Sequence, residues 1–132
     1  YFKGVTVNEE TMPKNAKIFV VDDSDIIRTS VRECLEKDGH MISAEAVSLE
    51  EAVKKIDYVF HEGITVAIID GSLSPPGSTF KAEGREISLI LRNKIPHIKI
   101  ISLSSHLADW GDKNLVKSAE TLSRLGRIVE DI

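Results

Sequence analysis

KIFVVDD, residues 17–23, leads an apolar run directly into a pair of aspartates. Its apolar side chains do not alternate with polar ones. A short strand of that composition buries both faces, as parallel strands do inside a layered α/β protein. The same pattern returns along the chain. ITVAII (64–69) runs into Asp70, IKIISLS (98–104) ends at Ser104, and NLV (114–116) runs into Lys117. Open parallel sheets bind ligands outside the carboxyl ends of their strands. With the four runs in one sheet, Asp22, Asp23, Asp70, Ser104 and Lys117 meet at a single edge. Carboxylates, a hydroxyl and an ammonium gathered there suit a divalent cation and a phosphoryl group.

Helical periodicity fills the intervals. Residues 24–38 read as a helix, with Ile27, Val31, Cys34 and Leu35 on one face and Gly39 at the left-handed stop position. Residues 40–47 read as a weaker strand. Ser48 and Glu51 form a capping box for a helix bearing Ala52, Val53, Ile56, Val59 and Phe60, which Gly63 ends. Residues 71–84, with Pro75 and Pro76, read as a loop. Residues 86–93 are helical, with Ile87, Ile90 and Leu91 on one side. Residues 119–132 read as one amphipathic helix with Leu122, Leu125, Ile128, Val129 and Ile132 turned inward. Alternation of this kind predicts a parallel sheet with helices on both faces and right-handed crossovers. Between the fourth and fifth strands lie only residues 105–113. A parallel crossover usually takes about a dozen residues or more. The fourth helix is therefore expected to be shortened or absent, with Trp110 covering the core in its place.

The bulk numbers narrow the classes. A chain of 132 residues fits one domain, and 42% apolar with 29% charged residues is ordinary for a globular protein. A net charge of −4 argues against direct nucleic-acid binding. The single cysteine, Cys34, forms no internal disulfide and reads as a small buried apolar residue. No apolar stretch is long enough to span a bilayer, so a cytoplasmic protein is expected. Residues 1–16 read as a flexible N-terminal arm and 17–132 as the folded domain, with no linker to an output domain.

These residues resemble the response-regulator receiver domains of two-component signalling. The resemblance covers nearly the whole chain and rests on Asp22-Asp23, Asp70, Ser104 and Lys117, each at a predicted strand end. It implies a flavodoxin-like three-layer α/β/α sandwich with five parallel strands in the order 2-1-3-4-5. It further implies that Asp70 is the phosphoacceptor. Asp23 would bind Mg²⁺ (or Mn²⁺) directly, with Asp22 acting directly or through a water. Asp70 and the backbone carbonyl of Ser72 would complete the protein ligands. Ser104 would hydrogen-bond the phosphoryl group, and Lys117 would pair with one of its oxygens. The implied partners are a histidine kinase or histidine phosphotransfer protein and an unknown downstream protein. The implied chemistry is acceptance and slow loss of the chain's own phosphoryl group, not enzymatic turnover.

The chain departs from the family pattern in four places. The loop after Asp70 is lengthened before Gly84, the glycine that opens the third helix. The fourth helix is reduced. Ser118 stands after Lys117 where receivers usually carry proline, so a cis joint is not expected. Near Asn114, strand five lacks the usual aromatic. His106 falls at the rim of the site, and His40, His61 and His97 read as solvated. Two other functions compete. One is a non-phosphorylated interaction module of the same fold, which has no physical reason to keep three mutually repelling carboxylates. The other is a haloacid-dehalogenase-like phosphohydrolase using Asp23, Asp25, Ser104 and Asp112, which leaves Asp70 unexplained.

Overall fold

The structure, a computed structural model, describes residues 15–71, 73 and 83–132. Its strands are β1 (Lys17–Val21), β2 (Met41–Ala46), β3 (Val66–Ile69), β4 (Lys99–Ser104) and β5 (Lys113–Val116). Its helices are α1 (Asp25–Lys37), α2 (Leu49–His61), α3 (Glu83–Lys94), α4 (Ala119–Ser123) and α5 (Leu125–Asp131). The sheet order is β2-β1-β3-β4-β5, with every neighbouring pair parallel. This is the flavodoxin-like arrangement expected from the sequence.

The central strands bury both faces, and this explains their unbroken apolar runs. Phe19, Val21, Ala67, Ile69 and Ile100 face one side, where they pack with Ala52, Ile56 and Val59 of α2 and Ile87 and Leu91 of α3. Ile18, Val20, Ile68, Ile101 and Leu103 face the other, against Val31 and Leu35 of α1 and Leu125 and Val129 of α5. Helices α1, α2 and α4 begin on serines. The hydroxyls of Ser24, Ser48 and Ser118 accept the amide hydrogens of Ile27, Glu51 and Thr121 at 3.2, 3.1 and 3.0 Å. Glu51 reaches back past the cap and accepts the Val47 N–H at 2.9 Å, one residue before the Ser48 amide that a capping box would use. Gly39 and Gly63 close α1 and α2 with φ of 88° and 71°, values that favour glycine.

Residues 105–112 contain no helix, so the expected loss of the fourth crossover helix is real. Trp110 packs against the α2/α3 side of the core, as anticipated.

Three readings are corrected. The C-terminal segment is not one helix. It breaks at Arg124, which caps α4 with a non-helical φ of −105° and ψ of 1° and precedes α5. The amphipathic pattern persists across the break because both short helices turn their apolar side to the same sheet face. Cys34 is half-buried, not buried. His40 is not solvated: it is 3% exposed. Its Nδ1 accepts the Ala16 N–H at 3.1 Å, and its Nε2 donates to the Gly126 carbonyl at 3.0 Å. That imidazole ties the entrance of β1 to α5. His61, His97 and His106 are exposed. Ser72 and most of the lengthened loop lie outside the described residues.

Candidate functional site

Strand register brings the site together. Val21 pairs with Ile69, so the next residues, Asp22 and Asp70, emerge side by side. Ile69 pairs with Ser102, which carries Ser104 two residues further along the same edge. Ser104 pairs with Val116, and the Lys117 N–H donates to the Ser104 carbonyl at 2.8 Å, so Lys117 arrives last. Each strand contributes its residue because it stops there, and a slip of one register position would scatter the group.

Asp22, Asp70 and Ser104 are buried, while Asp23 is exposed. One carboxylate oxygen from each of Asp22, Asp23 and Asp70 lies within 4.8 Å of the others. The Lys117 ammonium bridges two of them, 2.9 Å from Asp22 Oδ2 and 3.1 Å from Asp70 Oδ2. The other Asp22 oxygen accepts the Ser24 N–H at 2.9 Å. Burial works against the Lys117 charge. The hydrogen bond to Asp22 and the charges of Asp70 and Asp22 outweigh it and hold its pKa above the usual lysine value.

The donor set fits a small hard cation. Oxygen ligands about 2.0–2.1 Å from an octahedral Mg²⁺ stand about 2.9 Å apart when adjacent and about 4.1 Å when opposite. Three carboxylate oxygens within 4.8 Å of one another are of that scale, and these three residues offer only oxygen ligands.

The surroundings allow almost no slack. The Ser104 hydroxyl accepts the Gly71 N–H at 2.8 Å. A Cβ on Gly84 would collide with the Asp70 carbonyl and stand 2.7 Å from the Gly71 Cα and 3.0 Å from the Trp110 ring. Gly84 is therefore where α3 approaches the back of the site, and two of those neighbours are backbone, which cannot yield. Gly84→Ala is expected to destabilise the fold by about 2 kcal/mol or more, read as a lowered urea midpoint. An unchanged midpoint would mean that α3 does not press on Asp70.

Sequence reasoning missed several residues. Arg28 donates to the Asp22 carbonyl at 2.6 Å and pairs with Asp25 and Glu45, pinning α1 and β2 to the end of β1. Only the Asp25–Arg28 spacing hinted at it. Asp25 is thereby taken out of any acid role, with its side chain 89% exposed. Asp112 lies elsewhere, accepting from Ile100 N–H at 2.8 Å and from Arg92 at 3.1 Å. Burial opposes its charge, yet these bonds hold its pKa below the usual aspartate value. Neither placement serves a dehalogenase-like site. Asn114 is bonded to Ser102 and Gly111, and no cis peptide occurs among the described residues.

Comparison with known proteins agrees with this geometry. No family model matches the sequence, and no curated protein matches it. Solved structures do. The response-regulator receiver domain protein (CheY-like) of Methanospirillum hungatei superposes with a TM-score of 0.69 at 22% identity, covering 89% of this chain and 94% of its own. The signal receiver domain of NarL from Mycobacterium tuberculosis gives 0.69 at 19%, covering 90% and 96%. The response regulator TrrA of Thermotoga maritima, solved in complex with Mg²⁺–BeF, gives 0.67 at 29%, covering 88% and 97%. In fold, the chain is similar to the CheY-like receiver domains of response regulators.

Proposed function

We propose that this receiver domain accepts a phosphoryl group on Asp70 in an Mg²⁺-dependent two-component phosphorelay. One observation carries the reading: a half-buried ammonium holds Asp22 and Asp70 together while a third carboxylate completes an oxygen cluster of metal-binding dimensions. Such a cluster is costly to assemble without a cationic ligand, because like charges held close repel. The fold and the complex described for TrrA support the same reading.

Asp22, Asp23 and Asp70 would hold the cation, with the Ser72 carbonyl as the further ligand that the resemblance implies. When bound, Mg²⁺ supplies charge neutralisation and orients phosphoryl oxygens. The chain's own residues do the rest. An Asp70 carboxylate oxygen forms a bond to phosphorus as the bond to the donor's imidazole nitrogen breaks, giving an acyl phosphate. Lys117, already beside Asp70, pairs with a phosphoryl oxygen and stabilises the charge spread over the transferring group. The Ser104 hydroxyl, held by Gly71 N–H, donates its proton to another. The donor is a histidine kinase or histidine phosphotransfer protein, and the output is a contact with another protein. The chain works in the cytoplasm and returns its phosphoryl group to water slowly, without turnover of other substrates.

The test is direct. Incubated with Mg²⁺ and acetyl phosphate, the protein is expected to gain one phosphoryl group by intact mass. The gain is labile to hydroxylamine and absent when the metal is chelated. No gain at any Mg²⁺ concentration would instead identify a binding module of receiver fold. Continuous hydrolysis of phosphate esters through Asp23 would identify a phosphohydrolase.

A further inference from the structure

Residues 105–112 contain no helix, and strand five (Lys113–Val116) offers no aromatic that turns with Ser104. Asn114 cannot serve instead. Its Oδ1 accepts the Ser102 hydroxyl at 2.8 Å and the Gly111 N–H at 2.9 Å, and its Nδ2 donates to the Gly111 carbonyl at 3.3 Å. A side chain held at both ends has no second rotamer to visit without breaking these bonds.

Trp110 stands in a different position. A Cβ on Gly71 would lie 2.7 Å from Ser104 Oγ and 3.4 Å from the indole, and one on Gly84 would lie 3.0 Å from the same indole atom. Ser104, Gly71, Gly84 and Trp110 are thus packed without a gap directly behind Asp70. Beyond the indole the chain of contacts continues. Arg92 donates to the Trp110 carbonyl at 2.9 Å and to Asp112 Oδ2 at 3.1 Å. That same oxygen accepts the Ile100 N–H at 2.8 Å, near the start of β4 and the far edge of the sheet.

The geometry points to Trp110 as the positioning residue that carries the state of the Asp70 site to the Arg92–Asp112 clasp. This rests on the phosphoacceptor reading above. The bistable element is the Ser104 hydroxyl: it sits on Gly71 N–H, or it swings toward a phosphoryl oxygen. The swing strips Gly71 N–H of its acceptor, and a partly buried donor must then find another partner. Two glycines with no room for a methyl group cannot absorb the motion, so the indole moves with them. Packed contacts of this kind switch between arrangements instead of deforming smoothly. Such coupling is demonstrated only when cutting the chain of contacts abolishes it.

The experiment compares amide hydrogen exchange at Ile100 and Asp112 in the full chain, with and without Mg²⁺ plus beryllofluoride. Binding of beryllofluoride is followed separately by fluorine NMR. In the unmodified protein the two amides are expected to change exchange rate about fivefold or more on binding. In Trp110→Ala the fluorine signal of the bound state persists and the amide response disappears. If Trp110→Ala does not fold, Arg92→Gln cuts the next link, and the response at Asp112 is expected to vanish while the fluorescence of the single tryptophan still changes. An equal amide response with and without Trp110, or none in the unmodified protein with beryllofluoride bound, overturns the inference. Failure of the unmodified protein to bind beryllofluoride sinks the phosphoacceptor reading, and this coupling with it.

Discussion

Asp70→Asn is expected to show no mass gain after incubation with Mg²⁺ and acetyl phosphate, while remaining folded. The substitution keeps the shape of a side chain that is 3% exposed, so the core of β3 is undisturbed. The amide oxygen still accepts from Lys117, whose ammonium stays neutralised by Asp22 2.9 Å away. What disappears is the anionic oxygen that bonds to phosphorus, and an amide does not replace it as a nucleophile. Asp23→Asn makes the informative companion. It retains the acceptor and removes one cation ligand, so phosphorylation should survive but require more Mg²⁺. A hydroxylamine-labile gain in Asp70→Asn would place the acceptor elsewhere. An unchanged Mg²⁺ requirement in Asp23→Asn would remove Asp23 from the metal set.

Lys117→Met is expected to change both stability and chemistry. Its ammonium offsets two carboxylates whose side chains are each 4% exposed, and the lysine side chain itself is only 20% exposed. Removing one member of a buried charge group leaves the rest uncompensated, at a cost of about 3 kcal/mol. A urea midpoint near neutral pH, in chelator, reads that loss. Added Mg²⁺ should then raise the midpoint more in Lys117→Met than in the unmodified protein, because the cation takes over the missing neutralisation without competing against the lysine. The pH dependence has a definite sign. The folded pKa of Lys117 is raised, so its contribution is fully present below the unfolded lysine value of about 10.4 and is lost as pH rises through the folded value. The stability gap between the two proteins should hold through neutral and moderately alkaline pH and close only above that value. In phosphorylation, loss of a preorganised donor to the transferring group slows the reaction about 10²–10³-fold. A variant as stable as the parent in chelator would show that Lys117 does not hold the carboxylates together.

The parts of this fold that were legible in the sequence are those set by neighbours along the chain. Lys17–Val21 and Ile64–Ile69 read as strands because of their apolar runs, and every residue of them but Lys17 and Thr65 is buried. Ser48 reads as a helix start because a hydroxyl three residues before a free amide caps it wherever the helix lies, and Ser24 caps α1 in the same way. Ser118 follows the same rule and was missed, since the position was read for its missing proline instead. The site was legible for a related reason. Each functional residue sits where an apolar run stops, and parallel strands of similar length stop at one edge.

What the sequence by itself determined is the order of the elements, the two buried faces of each central strand and the roster of polar residues at their ends. Only the tertiary structure decided how those residues are partnered. His40 is buried because Ala16, 24 residues away, and Gly126, 86 residues away, reach its two nitrogens. Lys117 spans Asp22 and Asp70 rather than pointing to solvent because β1 and β3 end level and β5 runs two residues further along the same edge. The C-terminal helix breaks at Arg124 although its apolar period runs on unbroken. Asn114 is held by Ser102 and Gly111, and Trp110 is packed against Gly71 and Gly84. Periodicity and capping are local and repeat along a chain, so they can be read from it. Pairing between distant groups depends on which strands become neighbours and in what register, and that is settled only when the sheet closes over its core.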